Sequence, residues 1–508
     1  MNFDLIGRRG RQVAVTALLA LCALPSRGIA QLTFTQGDIV LSVYGDGNNS
    51  GTYSDNGASP ITLQEYSLNG TSSPATLAGS LVLPQNATNF AAPNGAGNNT
   101  PGANWDISGE FGSSSEGALQ LSTNGNYLTI AGYGVNAATY NGTASYINGS
   151  FGGTTKSCIT SGASAINCFP LAQTSSLSSP GAGVTSVPRV VALIGATGNV
   201  DTTTALYNFA NGNNPRSVAT VNGSSFYVSG QGLSGDTTEG VFYALKGASS
   251  ATPITTTYDT RFVEINNNTL DVSQDSKAGS GQLAYIAQLG ATGTLPTSSV
   301  TPSVLPGLST GSSKSAMPGE LTLSSANGGN GNSINHSSGS IFLSPEEYYY
   351  ANADTLYVAD SGNPKAGGVG DGGLQKWTFN GTSWVLDYTL SAGLNLVSDA
   401  TTCGANEIGC GTTGLIGLTG EVLPDGDVEL FATNATLGDL DQTYLYGITD
   451  VLADTTNPGD EAFTALVTAA PDTNIRGVAF APVPEPASLA VLAMGVGLLG
   501  MARRRRRP

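Results

Sequence analysis

Carboxylates are the residues in this chain best placed to do chemistry. Asp425-Gly426-Asp427 and Asp439-Leu440-Asp441 bracket one apolar run, Asp360 and Asp371 flank a glycine-rich loop, and Asp46 occupies a matching place earlier on. Hard cations such as Ca²⁺ take carboxylate and carbonyl oxygens from loops of this kind. Asp425, Asp427, Asp439 and Asp441 are therefore the candidate metal ligands, and no cofactor other than calcium is expected. None of these loops has the spacing of an EF-hand, so solvated turn Asp is the competing role. Paired carboxylates can also cleave glycosidic bonds, but no spacing along the chain can show such a pair.

Other chemistries find little support. The single histidine, His336, lies in a polar Asn-Ser-Ile-Asn-His-Ser-Ser-Gly-Ser loop, and the chain has no G-x-S-x-G nucleophile elbow. Val191–Val200 reads like the opening of a dinucleotide fold, but Asp201 stands where a third glycine is needed and no helical pattern follows. A hairpin turn is expected there. Tyr348, Tyr349, Tyr350, Trp377 and Trp384 could stack on sugars, although core packing accounts for such residues equally well. No catalytic residue is assigned.

Composition narrows the class. The chain has 508 residues, 36 acidic and 19 basic, with 11% charged, 40% hydrophobic, 68 Gly and 24 Pro. It is too apolar to be simply disordered and too poor in charge for a coiled coil. The N-terminus reads as a secretory signal over residues 1–30. Arg8, Arg9 and Arg11 precede the apolar run Val13–Leu24, and the small residues Gly28 and Ala30 precede Gln31.

The other end has three parts. Val483-Pro484-Glu485-Pro486 precedes an apolar stretch, Ala487 to Ala502, and then Arg503, Arg504, Arg505, Arg506 and Arg507. Sixteen residues make about 24 Å of helix, short for a full span, and the arginines act as a membrane stop on the cytoplasmic side. This order resembles the PEP-CTERM sorting signal of Gram-negative bacteria. The resemblance covers residues 483–508. It implies an exosortase-like membrane protease as partner, a transient stay in the inner membrane through residues 487–502, and release to the outer membrane, cell surface or extracellular matrix. It also implies an association with exopolysaccharide and biofilm.

Losing the signal, and the tail from Pro486 onward, removes nine basic residues and Asp4, leaving ten basic and 35 acidic residues and a net charge of −25. Such a body repels nucleic acid. Its cysteines form two close pairs, Cys158 with Cys168 and Cys403 with Cys410. In an oxidising compartment both pairs are expected to be disulfides, and neither spacing fits a zinc motif.

The positioning elements are strands. Short runs rich in Val, Tyr, Phe, Thr and Leu alternate with turn residues. Asn-Gly pairs, which suit tight hairpins, recur at 69–70, 124–125, 222–223 and 380–381. Six strand pairs stand out, beginning with Ile39–Tyr44 and Ile61–Tyr66 and ending with Val428–Thr433 and Tyr444–Ile448; a final strand, Ile475–Phe480, has no partner after it. The 31–482 body is therefore expected to be an all-β propeller of six blades, the last strand closing the first blade. Seven blades, a β-sandwich or a β-helix are the alternatives, and 287–340 reads as a long loop. The leading functional expectation is a non-catalytic surface or matrix protein. A polysaccharide hydrolase or lyase, and a sugar- or calcium-binding adhesin, are its rivals.

Overall fold

The computed structural model describes residues 32–47, 53–142, 156–158, 166–181, 183–233, 236–256, 259–275, 284–309, 343–362, 370, 372–397 and 411–484. The N-terminal signal, His336, Asp371, Cys403, Cys410, Glu485, Pro486, the 487–502 segment and Arg503–Arg507 lie outside the described residues.

The strands are, in order, β1 (Ile39–Gly45), β2 (Ala58–Ser67), β3 (Thr76–Val82), β4 (Ser108–Glu110), β5 (Gln120–Leu121), β6 (Tyr127–Tyr133), β7 (Lys156–Cys158), β8 (Ile166–Cys168), β9 (Arg189–Gly195) and β10 (Val200–Leu206). Then come β11 (Pro215–Ala219), β12 (Ser225–Gly230), β13 (Gly240–Leu245), β14 (Thr252–Thr255), β15 (Thr260–Asn266), β16 (Thr269–Asp275), β17 (Ala284–Leu289) and β18 (Pro302–Ser309). The last are β19 (Pro345–Asn352), β20 (Thr355–Asp360), β21 (Gly373–Phe379), β22 (Trp384–Leu390), β23 (Thr412–Val422), β24 (Asp427–Thr436), β25 (Tyr444–Val451), β26 (Thr464–Thr468) and β27 (Thr473–Phe480). The described helix is a short α1, Ala137–Asn141, whose N-cap Asn136 accepts from the Thr139 amide.

Strands β11–β14, β15–β18, β19–β22 and β23–β26 form four four-stranded antiparallel sheets. The remaining long strands make two further sets, β27-β1-β2-β3 and β5-β6-β9-β10, which β4 joins into one sheet by pairing with both β2 and β6. Strand β27 pairs antiparallel with β1, placing Val478 opposite Leu41 and Phe480 opposite Ile39. The last strand thus lies on the edge of the first, as the chain ends suggested.

Six apolar clusters each lie between two consecutive sets. A strand buried on both faces divides its residues between two clusters, because successive side chains point to opposite faces. Val40 and Tyr44 pack toward β6 and β9, while Ile39, Leu41 and Val43 pack toward β24–β26. This double burial explains the near-continuous apolar runs of the middle strands.

Two readings need correction. The units hold four strands rather than two, and the 287–340 segment contains β18, the fourth strand of its sheet. Pro302 and Pro306 hid it; proline is tolerated there because an edge strand has one side free of ladder bonds. The Val191–Val200 segment forms the β9–β10 hairpin, with Gly198 at φ 73°, so no nucleotide loop exists there.

Candidate functional site

The first strands of successive sets are neighbours. Strand β11 packs against β15, β15 against β19, β19 against β23, β23 against β27, and both β27 and β11 against β5. Strands β11, β15, β19 and β27 carry charged residues near their starts, and these meet beside Ser115 and Glu116, which precede β5. Ser115, Glu116, Arg216, Arg261, Glu346, Glu347 and Arg476 line one cavity of about 30 Å³.

Half of the body's scarce cations are inside the fold. Arg189, Arg216, Lys376 and Arg476 are buried, and the Arg261 side chain is 12% exposed. Asp259, held at φ 61°, a left-handed conformation that Asp tolerates, lies between two guanidiniums. Arg216 Nη1 donates to its Oδ1 at 2.6 Å, and Arg261 Nη2 is 3.3 Å from the same atom. Arg216 also donates to the Thr260 carbonyl and to Gln231 Oε1. Arg261 Nη1 stands 3.6 Å from Glu346 Oε1, which accepts from Ser361 Oγ. Burial works against the Arg261 charge, but Asp259, Glu346 and Asp275 outweigh it and hold the group above its usual range.

The other two carboxyls are set by burial. Glu347 accepts the Leu418 amide at 2.9 Å, yet desolvation drives its pKa well above the ordinary value. Glu116 is pushed up to about 7, mainly by burial, although Tyr133 Oη, the Glu110 amide and Asn214 Nδ2 all donate to it.

Arg476 and Arg189 are both 1% exposed but differ in how they are satisfied. Arg189 donates to Ala172, Thr174, Val187, Ala210 and Asn213 carbonyls and to Thr174 Oγ1, with its guanidinium 4.6 Å from the Tyr133 ring centre. It is a structural plug. Arg476 Nη2 donates to Asn474 Oδ1 at 2.9 Å, while Nε and Nη1 have no acceptor. Gly117 stands against it at φ 87°, where a Cβ would come within 2.6 Å of Arg476 Cβ.

The residues proposed from sequence lie elsewhere. Asp425 lies in the turn before β24 and Asp427 opens the strand, whereas Asp439 and Asp441 follow its far end, so the strand's length separates the two pairs. Asp441 accepts from the Gly411 and Gly438 amides, and Asp425 from the Asp427 amide. Among the described residues no group of three or more His, Cys, Asp or Glu could hold a metal ion. Asp360 is fully buried and accepts from Ser344, Gly362 and Gln375. Trp377, Trp384 and Tyr348 belong to the apolar core. The β7–β8 register sets Cys158 opposite Ile166 and Cys168 opposite Lys156.

This charged cluster had a signal that pairwise strand reading missed. Pro215-Arg216, Thr260-Arg261, Pro345-Glu346-Glu347 and Ile475-Arg476 each open an apolar run with charge. A charge at the start of a run reads as a loop end unless tertiary packing is known.

The tail has its own attachment. Strand β27 ends at Phe480, the Ala481 amide donates to Asp38 O at 2.9 Å, and the Val483 amide donates to Gly125 O at 2.8 Å. Val483 and Pro484 line a surface groove with Tyr127, Leu193 and Lys246. From there on the chain's affinity is explicit: residues 482–507 match the model of the PEP-CTERM protein-sorting motif. The tail is a PEP-CTERM sorting motif. It implies an exported protein sorted by an exosortase. Among the described residues no helix is long and apolar enough to cross a membrane.

No curated protein matches the sequence. Among solved structures, AztD from Citrobacter koseri is 11% identical at a TM-score of 0.23, over 84% of this chain and 70% of the other. An oligogalacturonate lyase from Vibrio parahaemolyticus is 7% identical at a TM-score of 0.32, over 83% and 96%.

Proposed function

We propose that the body is a six-bladed β-propeller that serves as a non-catalytic, exported module of the cell surface or extracellular matrix. The closed circuit of first-strand contacts, and β27 beside β1, support the propeller. The observation that carries the function is the placement of the sorting motif. It begins two residues after β27, and Val483 is already hydrogen-bonded to the body. A folded body thus hands Pro484-Glu485-Pro486 to the membrane at the point where the chain leaves it. The tail is then cut near this element, and the acidic body passes outward, where exopolysaccharide is the expected neighbour.

The cavity at the charged cluster is small. Sites for small organic molecules usually enclose roughly 300–1,000 Å³, and the axial cavity of about 30 Å³ has no room for a sugar ring. One observation favours a second reading, a polysaccharide hydrolase or lyase: Glu116, pushed up to about 7, lines the same cavity as three arginines.

Two measurements test this. The Glu485→Ala chain, expressed in the native host, should accumulate uncut in the inner membrane, whereas the native C-terminus should lack Arg503–Arg507 by mass spectrometry. Retention of those arginines in the native protein overturns exosortase sorting. Release of reducing ends or unsaturated products from acidic or neutral polysaccharides overturns the non-catalytic role.

A further inference from the structure

A chain with ten body cations keeps three of them, Arg216, Arg261 and Arg476, around one small cavity. All three leave guanidinium donors unused: Nε of each, and also Nη1 of Arg476. Arg476 and Arg216 are 1% and 4% exposed, so bulk solvent does not reach them. A buried donor without an acceptor costs about 1–3 kcal/mol, more when charged. Arg189 shows that this fold can satisfy a buried guanidinium completely with its own carbonyls. The cavity that these three arginines line is therefore the place for an acceptor that is not part of the protein.

The carboxyls around the cavity do not serve as that acceptor. Asp259 is held between Arg216 and Arg261, Glu346 is engaged by Arg261 and Ser361, Glu347 takes the Leu418 amide, and Glu116 takes three donors. Asp55 and Asp439 act on Arg476 through their charge, and neither lines the cavity. About 30 Å³ holds one or two water-sized occupants, which matches a single halide and is too little for phosphate with its hydration or for a sugar acid.

We infer that this axial cavity is a binding site for one small monovalent anion of halide size, held by unused N–H groups of Arg476, Arg216 and Arg261. The anion would tie the first strands of three sets, β11, β15 and β27, to one centre. It would act as a structural ligand, stabilising the closed arrangement by linkage.

The test uses the full chain with bromide as probe. Crystals grown in sodium bromide should give an anomalous peak within hydrogen-bonding distance of Arg476 Nε or Nη1. In solution, replacing sodium isethionate by sodium bromide at constant ionic strength should raise the thermal midpoint saturably, by about 2 °C at tenfold excess over Kd. The rise should disappear in Arg476→Lys. A cavity holding only water, with no bromide signal, overturns the site. So does an equal midpoint in both salts, or a bromide response unchanged in Arg476→Lys. Should the variant fail to fold, diffraction from the native chain decides.

Discussion

Ser42 Oγ accepts the Gly477 amide at 2.7 Å and donates to the Gly117 carbonyl at 2.6 Å. One buried hydroxyl thus joins β1 to β27, 435 residues away along the chain, and both to the segment leading into β5. It lies where β27 departs from regular pairing with β1, between Leu41 and Val43.

Ser42→Ala should therefore cost more than one ordinary hydrogen bond. It strands a buried amide and a buried carbonyl, each worth about 1–3 kcal/mol, for a total loss of about 2–6 kcal/mol. Urea unfolding of the full chain checks this, read as a lowered midpoint at unchanged slope. A midpoint equal to that of the native chain would show that the closure does not depend on this hydroxyl.

Lys376 and Asp450 form the second test. Their side chains are 0% exposed, with Nζ 2.8 Å from Oδ2, and they join β21 to β25 across a sheet boundary. Tyr388 Oη and the Val451 carbonyl complete the lysine, while Tyr357 and Tyr388 donate to the carboxylate. Removing one partner of a buried pair leaves the other charge uncompensated, at about 3–5 kcal/mol. Lys376→Met should show that loss, and Lys376→Met with Asp450→Leu should lose less than the two single changes summed. A double-mutant cycle without coupling would contradict the pair's role.

Stability should fall as pH rises from about 5 to about 8. Glu116, Asp55 and Asp271 are each pushed up to about 7, and Glu264 to about 8, chiefly by burial. Across that window the folded chain holds protons that the unfolded chain, with carboxyl pKa values of roughly 4, has released. Folding then binds protons, so raising the pH favours the unfolded chain. One such group contributes at most about 1.4 kcal/mol per pH unit. Glu116→Gln keeps an acceptor for Asn214 and Tyr133 and should flatten the profile by its share; denaturant midpoints between pH 5 and 8 measure this.

The exported form should carry Cys158–Cys168 and Cys403–Cys410 disulfides. Mapping of a non-reduced digest decides, and free thiols at all four positions would count against the pairing. The β7–β8 register offsets the first two cysteines by two residues.

Much of the strand content is legible from local chemistry. The middle strands, such as Thr355–Asp360 and Gly373–Phe379, are buried on both faces and bounded by turns like Asn380-Gly381, where Gly381 adopts φ 89°. The sorting tail is legible for a related reason, since an address must be readable without a fold. The edge strands are not. Thr76–Val82 is largely exposed and Pro302–Ser309 carries two prolines, so neither shows the apolar run of a central strand.

Sequence by itself determined the sorting motif and the all-β class, because each follows from patterns within a few residues of one another. Only the tertiary structure decided which charges meet. Arg216, Arg261, Glu346 and Arg476 spread over 261 positions of the chain, and no local pattern links them. Their meeting depends on the packing of β11, β15, β19 and β27, whose long-range contacts form through burial of apolar surface between sheets. The same packing separated Asp427 from Asp439, neighbours in sequence terms, by the length of β24. A strand advances about 3.3 Å per residue, so short sequence separation within a β fold puts carboxylates at opposite ends, while large separation can bring guanidiniums to one point.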